Sequence, residues 1–233
     1  MINKRMVLLS LLAMGLVACG QEKEPAINSS SSVASSEMAS SSSAVDLTVG
    51  QESAADTSLG TKIIVNKKHF LTADYNNGEN PEAGKQVRQL IADMQREGFA
   101  ISDTYSGFRS YQYQEQLYNG YVAANGQVEA DKVSARPGYS EHQTGLAFDI
   151  ISSRGELLGE TNAKEDEAAV EWLHKNMHRY GFVLRYIKGK EAITGYNYEP
   201  WHIRYVGQDA EKIYQSALTL EEYYGVTGGN YAN

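Results

Sequence analysis

The chain has 233 residues, 42% of them hydrophobic and 21% charged, enough for one soluble globular domain with extensions. Its formal charge of -8 argues against a nucleic-acid partner, since phosphate binding is chiefly a Lys/Arg effect. A single cysteine, Cys19, rules out an intramolecular disulfide and a thiolate-rich metal site.

Lys4 and Arg5 precede an apolar run from Met6 to Val17, which is too short to span a bilayer and reads as a signal-peptide core. It ends in Leu16-Val17-Ala18-Cys19-Gly20, which resembles a lipobox. That resemblance implies cleavage after residue 18 and a diacylglycerol on Cys19, whose two acyl chains give lasting attachment to the membrane. Loss of Lys4 and Arg5 makes the remaining chain more acidic still. Residues 19–60 carry the lipidated cysteine and then a tether rich in Ser, Ala and Glu, without the apolar periodicity that would offset its ordering entropy.

Residues 61–233 form the expected folded domain. Ile63-Ile64-Val65 suggests a short strand. Asn80-Pro81 opens a helix whose stripe is Val87, Leu90, Ile91 and Met94, and Gly98 stops it. Phe99–Tyr105 alternates like a strand, and a tyrosine-rich helix is expected from Tyr111 to Ala124. Leu146–Ile151 is a β-like apolar run interrupted by Asp149; a helix follows over 163–180. Phe182–Tyr186 and His202–Val206 are further strand candidates, before a helical tail from Gln208 to Tyr224. Strands and helices mix without regular βαβ alternation, so the class is α+β, and about 170 residues suffice for one core.

Within Ser140-Glu141-His142-Gln143-Thr144-Gly145-Leu146-Ala147-Phe148-Asp149, an ionisable Asp lies inside an apolar strand, where burial demands a cation or metal as partner. His142 lies just before it, and His202 in Glu199-Pro200-Trp201-His202 is the third candidate ligand. Two His and one Asp would hold one Zn²⁺ and leave a fourth position for water, with Glu199 free to act as base. Taken singly, each of these residues is better explained by an ordinary hydrogen-bonded or turn-capping role; it is their combination that points to a metal.

Ser140-x-His142-x-x-Gly145-x-Ala147-x-Asp149 followed by Glu199-x-Trp201-His202 resembles the VanY/LdcB group of zinc D,D- and L,D-carboxypeptidases, in the lipoprotein form of a Gram-positive bacterium. The likeness covers most of residues 61–210 and includes Ser106-Gly107-Phe108-Arg109-Ser110. It implies a single compact domain of the Hedgehog/D-Ala-D-Ala peptidase type, with a small, mostly antiparallel sheet flanked by helices. It further implies that His142, Asp149 and His202 bind zinc and that Glu199 is the catalytic base. Arg109 suits recognition of a free terminal carboxylate by paired charge-assisted hydrogen bonds. The resemblance adds Gln114 and Ser140 as contacts to the terminal D-residue.

The implied function is release of the terminal D-Ala from peptidoglycan stem peptides. The stretch Gly181–Val206 tilts the expectation toward L,D-activity on tetrapeptides, with D,D-activity on pentapeptides as the alternative. A non-catalytic wall-binding lipoprotein is the competing class. The expected protein is an extracytoplasmic, membrane-anchored monomer. Trp201 is expected to pack beneath the site, and Arg204 to stand by as a charge stabiliser of the oxyanion. His174 and His178 lack the Glu of an HExxH motif and read as a solvated helix end, and His69 as structural.

Overall fold

The computed structural model describes residue 47, residues 50–161 and residues 163–232. The apolar run Met6–Val17, Cys19 and most of the expected tether lie outside the described residues. No described helix is long and apolar enough to cross a membrane.

Two-residue strands β1 (Ser53–Ala54) and β2 (His69–Phe70) pair in parallel, and a 3₁₀ turn, Thr57–Lys62, lies between them. Residues 50–60 are thus already part of the described fold, ahead of the expected boundary at 61. Helix α1 (Pro81–Arg96) begins as the sequence indicates: the Asn80 side chain accepts from the Ala83 N–H at 3.0 Å, and Pro81 occupies the first turn. Ala83, Val87, Leu90, Ile91 and Met94 form its buried stripe.

Strand β3 (Ile101–Ser106), helix α2 (Tyr111–Asn125) and a short α3 (Gln127–Val133) follow, then β4 (Ala147–Ser152) and α4 (Lys164–Asn176). Next come β5 (Phe182–Leu184), α5 (Glu191–Thr194), β6 (His202–Tyr205), α6 (Ala210–Ser216) and α7 (Leu220–Tyr224). The main sheet is antiparallel, in the order β3-β4-β6-β5, so β4 and β6 are its centre. This is the expected α+β arrangement.

The two faces of that centre differ, and the difference places the site. Phe148, Ile150, Ile203 and Tyr205 point to one side and pack with Leu90, Met94, Leu173 and Phe182 in the principal core. The residues that alternate with them, Ala147, Asp149, His202 and Arg204, point to the other. Segment 61–66 and the C-terminal helices close over this second face, with Ile64, Val183, Ile213 and Leu220 in a smaller apolar cluster.

Three expectations are corrected. Ile63-Ile64-Val65 is buried but is not a strand: the Arg204 guanidinium takes the Thr61 and Ile63 carbonyls, at 3.1 and 2.6 Å, in place of a neighbouring strand. The helix expected over 163–180 ends at Asn176 and tightens into a 3₁₀ turn, Met177–Tyr180, closed by left-handed Gly181. The expected tail helix breaks at Ala217 (φ 54°) and restarts at Thr219 with a reciprocal Thr219–Glu222 capping box.

Candidate active site

Asp149 and His202 are directly opposed partners across β4 and β6. His142 reaches them from a 3₁₀ turn, Glu141–Thr144, that ends at left-handed Gly145 (φ 71°). A Cβ at Gly145 would stand 2.0 Å from the Gly78 carbonyl oxygen, so the turn carrying His142 can press against residues 78–80 only because this position is glycine. The loop after β3 clamps the imidazole: His142 Nδ1–H donates to the Gly107 carbonyl at 2.7 Å, and the Arg109 N–H donates to the His142 carbonyl at 3.2 Å.

That clamp fixes the tautomer and leaves the His142 Nε2 lone pair facing inward. His142 Nε2 lies 3.2 Å from Asp149 Oδ2, and His202 Nδ1 lies 3.1 Å from Asp149 Oδ1. One ligand atom from each of the three residues can be chosen so that all lie within 4.8 Å of one another. His142 Nε2 and Asp149 Oδ1 are nevertheless buried without a hydrogen-bond partner. Buried lone pairs that converge without pairing fit a shared cation, and two imidazoles with one carboxylate are donors suited to zinc.

The electrostatics agree with that fit. Burial, aided by the Arg109 charge, pushes His142 down to about 4, so it is the neutral form that faces the centre. Burial opposes ionisation of Asp149, but His142 and His202 outweigh it and hold the carboxyl well below its usual range. Burial likewise opposes a charged His202, yet Asp149, Glu141 and Glu199 overcome it and push that imidazole well up. Carboxylates on several sides make this a place that favours positive charge. Burial also raises Glu199, whose Oε2 lies 3.4 Å from His202 Nδ1.

A cavity of about 480 Å³ opens over these groups, and Arg109, Gln114, Ser140, His142, Asp149, Glu199 and His202 all line it. The expected metal-ligand, base and substrate-contact residues thus line one cavity, whereas Cys19 lies outside the described residues. Arg109 Nη1 lies 3.6 Å from Asp149 Oδ2 and donates to Ser106 Oγ at 3.3 Å, while its Nε is buried and unpaired. Gln114 gives its amide N–H to the Ala135 carbonyl at 2.8 Å and keeps an unpaired, buried Oε1. Trp201 lines the cavity and also packs on the principal core.

Other expectations fail. Arg204 shares the sheet face of His202 but is fully buried beneath segment 61–66, where it bonds Glu141 and backbone carbonyls, so it does not reach an oxyanion in the cavity. His174 is no solvated helix end: its Nε2 bonds the Pro200 carbonyl at 3.0 Å, bracing the loop that carries Glu199. His178 stacks on Tyr214 at 4.1 Å beside Glu211. His69 is structural as expected, bridging Ser53 and Thr227. Sequence reasoning passed over Tyr186 and Tyr196, which wall the cavity; Tyr186 has its ring 4.8 Å from that of His202. It also passed over Glu141 and Arg185, although Glu141 stands next to His142 in the motif.

Two imidazoles and a carboxylate converging at the floor of an open cavity, with a further carboxyl group alongside, make up the donor set of a hydrolytic zinc centre. The chain belongs to the VanY family of D-alanyl-D-alanine carboxypeptidases, which matches residues 76–208. Among solved structures it is similar to the L,D-carboxypeptidase DacB from Streptococcus pneumoniae, with 55% identity, a TM-score of 0.69, and coverage of 73% of this chain and 89% of that one. It is also similar to the vancomycin-resistance D,D-pentapeptidase VanY solved in complex with Zn(II), with 32% identity, a TM-score of 0.60, and coverage of 70% and 98%. YodJ of Bacillus subtilis is 43% identical over 144 residues, and the chain spans about half (52%) of YodJ's length.

Proposed function

We propose that this protein is a zinc carboxypeptidase that removes the terminal D-Ala from peptidoglycan stem peptides, with L,D-activity on the tetrapeptide as its main reaction. The observation that carries the reading is the meeting of His142, Asp149, His202, Glu199 and Arg109 in one cavity. His142, Asp149 and His202 would hold the metal, which supplies a polarised carbonyl and an acidified water. Arg109 pairs with the free α-carboxylate of the last residue, and Gln114 and Ser140 line the same cavity, where the unpaired Gln114 Oε1 can only accept from an N–H or O–H of the substrate. Glu199 accepts a proton from the attacking water as the new C–O bond forms, then gives it to the amine nitrogen as the C–N bond breaks and free alanine departs. The raised affinity of the buried Glu199 for a proton suits both transfers.

The L,D preference is supported by identity: 55% to the L,D-carboxypeptidase DacB against 32% to the D,D-pentapeptidase VanY. The apolar run to Val17 and the Leu16–Gly20 motif support a lipid anchor on Cys19, hence action on the outer side of the membrane. The test is digestion of defined tetra- and pentapeptides by the protein, with and without chelator, followed by mass spectrometry. Loss of one alanine from the tetrapeptide, abolished by chelator, is the expected result. Cleavage of the pentapeptide alone would make it a D,D-enzyme, and zinc bound without any cleavage would make it a wall-binding protein.

A further inference from the structure

At the back of the cavity, reaching its lining only through Glu141, lies a set of buried charges that the proposed reaction does not use. Glu141, Arg185, Arg204 and Glu221 are each at most 1% exposed. Glu141 Oε1 accepts from Arg185 Nε at 2.8 Å and from Arg204 Nη1 at 2.7 Å. Arg185 turns its other two nitrogens to Glu221, at 2.8 and 2.6 Å, and Glu221 also accepts from Asn66 Nδ2 at 2.9 Å. Two guanidinium groups and two carboxylates balance, which is the condition for keeping such charges out of water.

One atom of the set is left over. Glu141 Oε2 is buried with no hydrogen-bond partner, and so is His202 Nε2; the two face each other at 3.6 Å. If His202 ligates through Nδ1, the side nearest Asp149 and Glu199, the neutral ring must carry its proton on Nε2. A buried N–H without an acceptor keeps its whole desolvation penalty, and Glu141 Oε2 is the acceptor at hand.

We infer that Glu141, held by Arg185 and Arg204, is a positioning residue that accepts the Nε2–H of His202 and so selects the ring orientation that binds zinc. The inference rests on the proposed metal reading of His142, Asp149 and His202. It extends the metal centre to parts of the chain outside the family-matched stretch 76–208: through Arg204 to Thr61 and Ile63, and through Arg185 to Glu221 of α7.

The experiment measures zinc affinity by chelator competition, the thermal midpoint of the zinc-free protein, and imidazole ¹⁵N shifts of the zinc-loaded protein. It compares the wild type, E141Q and the double variant E141L/R204M. The amide of E141Q would turn a donor toward either His202 or the guanidinium groups, so this variant can fold poorly. The double variant removes one charge of each sign, leaves Arg185 with Glu221, and keeps the test possible. Expected are a roughly 10- to 100-fold loss of zinc affinity in the folded variants and loss of the protected His202 Nε2–H signal, even where the thermal midpoint is retained. Wild-type zinc affinity and an unchanged His202 signal in the double variant would overturn the inference. So would a zinc affinity that falls only in step with stability. A wild-type protein that binds no zinc would sink the underlying metal assignment itself, and is told apart by failing before any substitution is made.

Discussion

Replacing Gly145 by alanine tests the geometry that delivers His142. Position 145 has φ 71°, a left-handed conformation that costs an L-residue roughly 1–2 kcal/mol. The added Cβ would meet the Gly78 carbonyl oxygen at 2.0 Å and the Asn80 nitrogen at 2.9 Å, both backbone atoms that cannot rotate away. Forcing them apart resembles overpacking, at about 1–3 kcal/mol. It also strains the Asn80 N–H bond to the Gly145 carbonyl, 3.0 Å long, at the N-cap of α1. The total is about 2–5 kcal/mol, or a fall in thermal midpoint of roughly 5–20 °C for a domain of this size. Gly155 supplies the control, because its φ is also positive (84°) but nothing lies within 4 Å of an added Cβ. Calorimetry of zinc-free G145A and G155A should therefore differ, with G155A losing only the backbone part, and G145A should also bind zinc more weakly. Equal midpoints for the two variants would refute the steric argument.

Glu199→Gln should retain its zinc, measured by elemental analysis, and lose turnover by about 10²- to 10⁴-fold, the usual worth of a general base; near-normal turnover would remove Glu199 from that role. Arg109→Ala should lower kcat/KM on free-acid peptides by roughly 10- to 150-fold, as expected for charged hydrogen bonds worth about 1.5–3 kcal/mol. It should also erase the preference for free acid over C-terminal amide, and retention of that preference would place carboxylate recognition elsewhere. Burial lowers the pKa of His174 from 6.5, so the unfolded chain takes up its proton first as the solution is acidified. This group therefore stabilises fully above about pH 6.5 and loses its contribution as pH falls through that value toward its folded pKa. In H174Q, chemical denaturation at a series of pH values should show a shallower acid loss below about pH 6.5; a slope equal to that of the wild type would show that His174 does not titrate as its burial implies.

What could be read from sequence was local or chemically unusual. The Asn80-Pro81 start and the Val87-Leu90-Ile91-Met94 stripe fix α1 with neighbours only a few residues apart. Asp149 stood out because a carboxylate in an apolar strand needs a partner, and the partner candidates were few: the chain has five histidines. The parts missed depend on distant contacts. Ile63-Ile64-Val65 has strand composition, but the group that takes its carbonyl is Arg204, 141 positions away. Arg204 itself looked available to the cavity because it lies two residues from His202, yet its companion Glu141 is 63 positions distant and holds it, on the same sheet face, under segment 61–66. His174 and His178 sit near a helix end, where solvation is the ordinary expectation, and only the packed neighbours Pro200 and Tyr214 reverse it. Helices α3 and α5 are too short to show a stripe.

The direct pairing of Asp149 with His202 has an implication for how the chain can vary. Because side chains alternate with a period of two, inserting or deleting one residue in β4 or β6 would send one member of the pair to the opposite side of the sheet. A bound ion would then act as a molecular proofreader, rewarding one alignment of the two middle strands and withholding its binding energy from the shifted ones. Length changes should be tolerated in outlying connections such as the one around Gly155, and excluded from residues 147–149 and 202–204, where they would cost shape and chemistry together.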